Sequence, residues 1–237
     1  MVLTKGRFGT LPWAAIALAS IGLPSVAVAE KTIADHTRIN IDIQYDADMG
    51  WHLASFDDFS GDPYEANEIL LYANSMARQI VPDDPAYAFL GAAPGTTVWV
   101  LPQAWDPNTL SMSVTSESVA HDTFASYYES DPRVQQAAAW VKLTLKRVHG
   151  PGDMSVWQYD QYGQPVVWMA TSDGISDDDA IFNQLGLDAD FNFAFTAPGI
   201  YRVTFQASAY LPGQNDPIHS GEVTYRFGVE STGHHHH

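Results

Sequence analysis

From Arg38 to Tyr45 the chain alternates without a break. Ile39, Ile41, Ile43 and Tyr45 fall on one side, and Arg38, Asn40, Asp42 and Gln44 on the other. Successive side chains of a strand point to opposite faces, so a period of two specifies a half-buried strand and is incompatible with an amphipathic helix. The pattern recurs. Ala139 to Val148 sets Trp140, Lys142, Thr144 and Lys146 against Val141, Leu143, Leu145 and Arg147, and Leu110 to Val114 alternates again. A turn at Asp48-Met49-Gly50 followed by Trp51 to Phe56 predicts a hairpin. Thr97 to Leu101, Met154 to Tyr159, Val166 to Ala170, Phe191 to Phe195, Tyr201 to Tyr210 and Val223 to Val229 read as further strands. Ile69 to Ile80 fits a strand or a short helix. About ten strands separated by turn signals, with almost no helical period, predict an all-β antiparallel β-sandwich, immunoglobulin-like or jelly-roll-like, rather than a βαβ fold.

The material for a core is ample. Apolar residues make up 46% of the chain and aromatics 12%, which argues against disorder. No repeat and no Ser/Gly-rich linker interrupts residues 30–230, so they read as one β-sandwich domain. Cysteine is absent, which excludes thiolate catalysis and zinc–thiolate sites. The formal charge is -17, from 28 acids and 11 bases. Such a surface repels nucleic acid and anionic membranes, so no nucleic-acid partner is expected.

The two ends carry separate signals. Residues 1–29 read as a secretory signal peptide: Lys5 and Arg7, an apolar stretch from Leu11 to Leu23, then Ser25-Val26-Ala27-Val28-Ala29 for cleavage after Ala29. An uncleaved anchor competes with this reading, and Pro12, Pro24 and the terminal small residues favour cleavage. The protein is therefore expected to be exported to a periplasmic, cell-surface or extracellular location, with no membrane span after cleavage. Residues 231–237 form a tail whose His234 to His237 tract resembles a purification-tag remnant.

Several strings, taken in order, resemble a family of bacterial surface proteins. They are Trp51-His52-Leu53, Glu68-Ile69-Leu70-Leu71-Tyr72, Phe89-Leu90-Gly91 and Val98-Trp99-Val100-Leu101-Pro102-Gln103. Met169-Ala170-Thr171-Ser172-Asp173-Gly174 and Phe193-Ala194-Phe195-Thr196-Ala197-Pro198-Gly199-Ile200-Tyr201 complete the set. Together they resemble the actinobacterial-type surface-anchored domain, also called the choice-of-anchor M domain. The resemblance implies an exported, non-enzymatic β-sandwich displayed near the cell surface and associated with transporters of the metal-uptake type. Two departures accompany it. The chain lacks an anchoring tail, and Asp188-Ala189-Asp190 stands where such proteins often carry His-x-His.

Three sets of residues are candidates for chemistry. If His36 and His52 converge with Asp188 and Asp190, four nitrogen and oxygen ligands could bind one divalent ion, zinc, copper or manganese before calcium. The bland alternative is a pair of exposed or turn-capping histidines. Asp173, Asp177 and Asp179 lie in the densest acidic loop and carry the ingredients of an oxygen cage for calcium, although the spacing is not that of an EF-hand. A solvated loop explains them equally. Asp57, Asp58 and Asp62 read as turn chemistry. Among the tryptophans, most fall within alternating strands and read as core, and Trp105 is the one expected at the surface, where a ring can stack on a sugar. No Gly-x-Ser-x-Gly elbow, His-Glu-x-x-His or phosphate loop is present. The sequence therefore predicts a non-catalytic binding module. It either handles a divalent metal or docks onto an envelope protein, a larger complex or a glycan.

Overall fold

The computed structural model describes residues 30–134 and 136–230, so the leader and the His tract lie outside the described residues. The first half of the chain forms β1 (Lys31–Ile33), β2 (Arg38–Asp46), β3 (Gly50–Asp57), β4 (Pro63–Tyr64), β5 (Ile69–Ala73), β6 (Arg78–Ile80), β7 (Thr97–Leu101) and β8 (Ser111–Thr115). The second half forms β9 (Ser126–Tyr127), β10 (Ala138–His149), β11 (Met154–Tyr159), β12 (Pro165–Ala170), β13 (Ala180–Gln184), β14 (Asp188–Phe195), β15 (Gly199–Ala209), β16 (Ile218–His219) and β17 (Val223–Val229). Among the described residues, helix is confined to two 3₁₀ turns, Ser75–Ala77 and Pro85–Leu90. The all-β sandwich expected from the alternation is what folds.

One sheet runs β1-β5-β17-β15-β10-β13, and the other β12-β11-β14-β8-β2-β3-β4, with β6 and β7 joined to it through β14. Most pairings are antiparallel. Three are parallel, β1 with β5, β5 with β17, and β2 with β8, so the sheets are mixed rather than purely antiparallel. The alternation fixes which face of a strand is buried; it carries no information about the direction of the neighbour.

The predicted hairpin is β2–β3, paired from Ile39–Asp57 to Asp46–Gly50. Its turn closes because the Asp46 carboxylate accepts from the backbone N–H groups of Asp48 and Met49, at 2.8 and 3.0 Å, and Gly50 takes a φ of 82°. Ile39, Ile41 and Ile43 enter the core between the sheets, where Phe193, Phe195, Phe205, Phe227, Tyr201 and Tyr225 are also fully buried. Tyr225 ties the sheets together, its hydroxyl donating to the carbonyl of Ala54 at 2.8 Å. Burying a phenol with its hydrogen bond satisfied avoids the desolvation cost an orphan hydroxyl would carry.

The exposed edge at β12 is blunted by Arg133. Its guanidinium donates to the carbonyls of Val167 and Trp168, at 2.9 and 3.0 Å, and to that of Asp178 at 2.7 Å. It lies 4.9 Å from the Trp168 ring and is ion-paired to Asp131, whose carboxyl is held below the usual range first by that pairing. An edge whose carbonyls are already occupied cannot template another strand there.

The second sheet is covered on its outer side too. The Pro85–Leu90 turn places Leu90 in a small satellite cluster with Val81, Val98, Val100, Trp157 and Ala194. Beyond it the outer face turns polar. Arg38, Asn40, Asp42 and Gln44 of β2, Ser113 and Thr115 of β8, and Asp188 and Asp190 of β14 occupy that region, with Asp190 in register with Ser113 and Ser113 with Asn40.

Candidate functional site

The four candidate transition-metal ligands do not come together. Asp188 and Asp190 project from β14, whereas His52 lies on β3, three strand positions away; at about 4.8 Å per position that is roughly 14 Å. His52 Nε2 meets the Glu65 carboxylate at 3.0 Å, and its Nδ1 lies 3.4 Å from Gln44 Oε1. His36 is exposed in the β1–β2 turn with a φ of 55°, its backbone N–H bonded to the carbonyl of Pro107 at 3.2 Å. Among the described residues, no group of three or more His, Asp or Glu side chains is arranged to hold a metal ion.

The two aspartates close instead on Arg38. Its guanidinium lies 3.1 Å from Asp188 Oδ2, 3.0 Å from Asp190 Oδ1 and 2.5 Å from Asp58 Oδ2, and Asp58 also accepts from Nε at 3.1 Å. Burial works against the Arg38 charge, but the three carboxylates outweigh it and raise its pKa. The Asp188 carboxyl is pushed above the usual value, first by burial and then by Asp190 and Asp58, against the opposing pull of Arg38 and Ser113. A cation at this place would have to displace Arg38.

The acidic loop is likewise structured from within. Asp179 is buried, one carboxylate oxygen accepting from the Ala170 N–H at 2.8 Å and the other from the Ser176 N–H at 2.7 Å. Asp173 and Asp177 point to solvent, and Asp177 lies 3.5 Å from Lys146. The carboxylate that could have closed an oxygen cage thus satisfies backbone donors that would otherwise be orphaned.

Sequence reasoning singled out Trp105 and missed its partner. Phe59 and Trp105 are 57% and 53% exposed, with ring centroids 5.7 Å apart. Beside them Met76 is 63% exposed. Met76, Gln79, Val100, Pro102, Trp105 and Thr109 line one shallow open depression. Within it, Thr109 is only 3% exposed, and its hydroxyl has no hydrogen-bond partner. Large apolar side chains grouped at a surface beside polar ones mark interaction sites.

The backbone that carries these side chains is pinned by hydrogen bonds. Phe59 sits on the β3–β4 loop, where the Asp57 carboxylate accepts from the N–H groups of Phe59 and Ser60, at 2.9 and 3.1 Å, and from Thr37 Oγ1 at 2.5 Å. Burial raises the Asp57 pKa, and these hydrogen bonds together outweigh it and leave the carboxyl below its ordinary value. Trp105 sits on the β7–β8 loop, folded by Asp106 Oδ1 accepting from the Asn108 N–H at 2.9 Å. Asn74 ties the β7–β8 loop to the β1–β2 turn and to the turn that carries Met76. Its amide donates to the carbonyls of Asn108 and Ala34, at 2.9 and 3.2 Å, while its oxygen accepts from the Met76 N–H at 2.8 Å. Asp58, next to Phe59, connects this rim to the Arg38 cluster.

The fold and this rim define a β-sandwich with a preorganised aromatic and polar surface at one end. Compared with family models and with curated proteins, the chain matches none.

Proposed function

We propose that the protein is an exported, non-catalytic binding module that docks onto a component of the cell envelope through the Phe59–Trp105 rim. The observation that carries this reading is the exposed aromatic pair on loops pinned by Asp57 and Asn74. Ordering costs that a floppy surface would incur on binding are already met in the folded chain. The leader and the resemblance to surface-displayed sandwiches support the location. A metal-handling role draws on that resemblance alone, because Asp188 and Asp190 are engaged with Arg38; elemental analysis of untagged protein tests it.

The docking reading is tested by sedimentation with isolated envelope material. Wild type is retained, and the Phe59→Ala/Trp105→Ala double variant stays in the supernatant while keeping its circular dichroism. Equal retention of the two proteins defeats the assignment of the rim.

A further inference from the structure

We infer that the occupant of the rim is a neutral glycan, bound through a pyranose ring that lies on Trp105. The inference rests on the docking reading above and names the ligand of that same site. A pyranose presents a flat patch of C–H bonds on one side and hydroxyls around its circumference. The rim offers the matching groups. Trp105 and Phe59 supply exposed ring surface, and Thr109, in the wall of the depression that Trp105 shares, carries a buried hydroxyl with no protein partner. A buried hydroxyl without a partner carries a desolvation cost that a ligand hydroxyl can relieve. Asp58 follows Asp57 and precedes Phe59 in the chain and is linked through Arg38 to Asp190; Asp58 and Asp190 keep about a third of their side-chain surface open, at 32% and 37%, and Arg38 keeps 25%. They provide acceptors and a donor already fixed in place by one another.

Charge narrows the class. Asp58, Asp188 and Asp190 oppose a single guanidinium, and the whole chain carries a formal -17. A uronate or phosphate polymer meets repulsion both on approach and at contact, so an uncharged glycan is favoured. Size narrows the partner. The large exposed apolar side chains grouped here are Phe59, Met76 and Trp105, with Pro102 and Pro107 also lining the depression, whereas a standard protein interface buries about 800 Å² on each side across some 20–30 residues. A few aromatic contacts framed by planar polar groups suit a sugar ring better than a protein face.

The test pairs two measurements on the mature chain. Envelope material is treated with periodate, which cleaves vicinal diols, or with protease, and retention of the protein is then compared. Separately, cellohexaose, mannohexaose and N-acetylchitohexaose are titrated by calorimetry beside an oligogalacturonate. The inference expects retention to fall after periodate and to survive protease. It expects at least one neutral oligosaccharide to bind more tightly than the oligogalacturonate. Trp105→Ala should weaken that binding by about tenfold or more, and Thr109→Val should weaken it by a smaller factor. Retention that survives periodate and is lost after protease overturns the glycan and leaves the docking reading standing. Tighter binding of the oligogalacturonate, or undiminished affinity in Trp105→Ala, also overturns it. Wild type that is not retained on untreated envelope material brings down the docking reading itself.

Discussion

Two sets of aromatic rings in this molecule sit at similar spacings and serve opposite ends. Between the sheets, Phe193 and Phe227 stack at 6.0 Å and Phe195 and Tyr201 meet at 4.8 Å, all fully buried. At the rim, Phe59 and Trp105 meet at 5.7 Å with more than half of each side chain in solvent. The inner rings have already converted their apolar area into stability. The outer pair has not, and its position is maintained by hydrogen bonds to loop backbone instead of by packing. On the docking reading proposed above, stability and recognition fall to different rings, and substitutions should separate them.

The largest effect is expected inside. Phe193→Ala should lower the unfolding free energy by about 3–5 kcal/mol through lost burial and the cavity left behind, read from the urea midpoint. A loss below 1 kcal/mol would mean that this part of the core is loosely packed. Next comes the cluster linking core to rim. Arg38→Ala leaves Asp58, Asp188 and Asp190 facing one another, for a cost of about 2–3 kcal/mol, and adding Asp188→Asn should recover part of it. Failure of the second substitution to recover anything would show that Arg38 acts by packing rather than by charge.

The loop under Phe59 should respond to pH. The Asp57 carboxyl is depressed in the folded chain, so its contribution is fully present above the ordinary carboxylate pKa near 3.8 and is lost as pH falls through the lower folded value. Asp57→Asn should therefore cost about 1 kcal/mol at pH 7 and less below pH 3. An equal cost at both pH values would contradict the hydrogen-bond account. The smallest effect is expected at the rim, where Trp105→Ala should change stability by less than about 0.5 kcal/mol while weakening binding by about tenfold or more. A large stability loss there would erase the distinction between the two sets of rings.

The distance between sequence and structure follows the same division. The alternation at Arg38 to Tyr45 specifies a strand, which runs to Asp46, and the one read over Ala139 to Val148 becomes β10. Leu110 to Val114 also alternates and forms β8, Ser111–Thr115. Its strand is buried on both sides, because Ser111 and Ser113 lie under the polar outer face while Met112 and Val114 enter the core. Alternation reveals two unlike faces, not whether the polar one is covered. Ile69 to Ile80 resolves into β5, a 3₁₀ turn and β6, a break governed by the side chain of Asn74 capping Met76. The parallel pairings depend on how distant segments meet, which no local pattern encodes.

The site was half legible. Trp105 stands out because it falls in a Pro- and Asp-bounded loop. Phe59 gave a weaker signal, a lone aromatic after Asp57-Asp58, and its nearness to Trp105 arises only when the β3–β4 and β7–β8 loops meet. Asp188 and Asp190 were legible as an acidic pair, although the strand that carries them begins at Asp188 and not at Phe191 as the sequence suggests. Their partner was not, since Arg38 lies 150 residues earlier and reaches them through β8.

The most direct test of the rim as the binding surface is a titration of isotope-labelled protein with the tightest neutral oligosaccharide, following the indole N–H resonances. Only the Trp105 resonance should move with saturating dependence on ligand, while those of the buried Trp99 and Trp157 stay fixed. Movement centred on the buried indoles, or no movement at Trp105 at saturating ligand, would contradict the account.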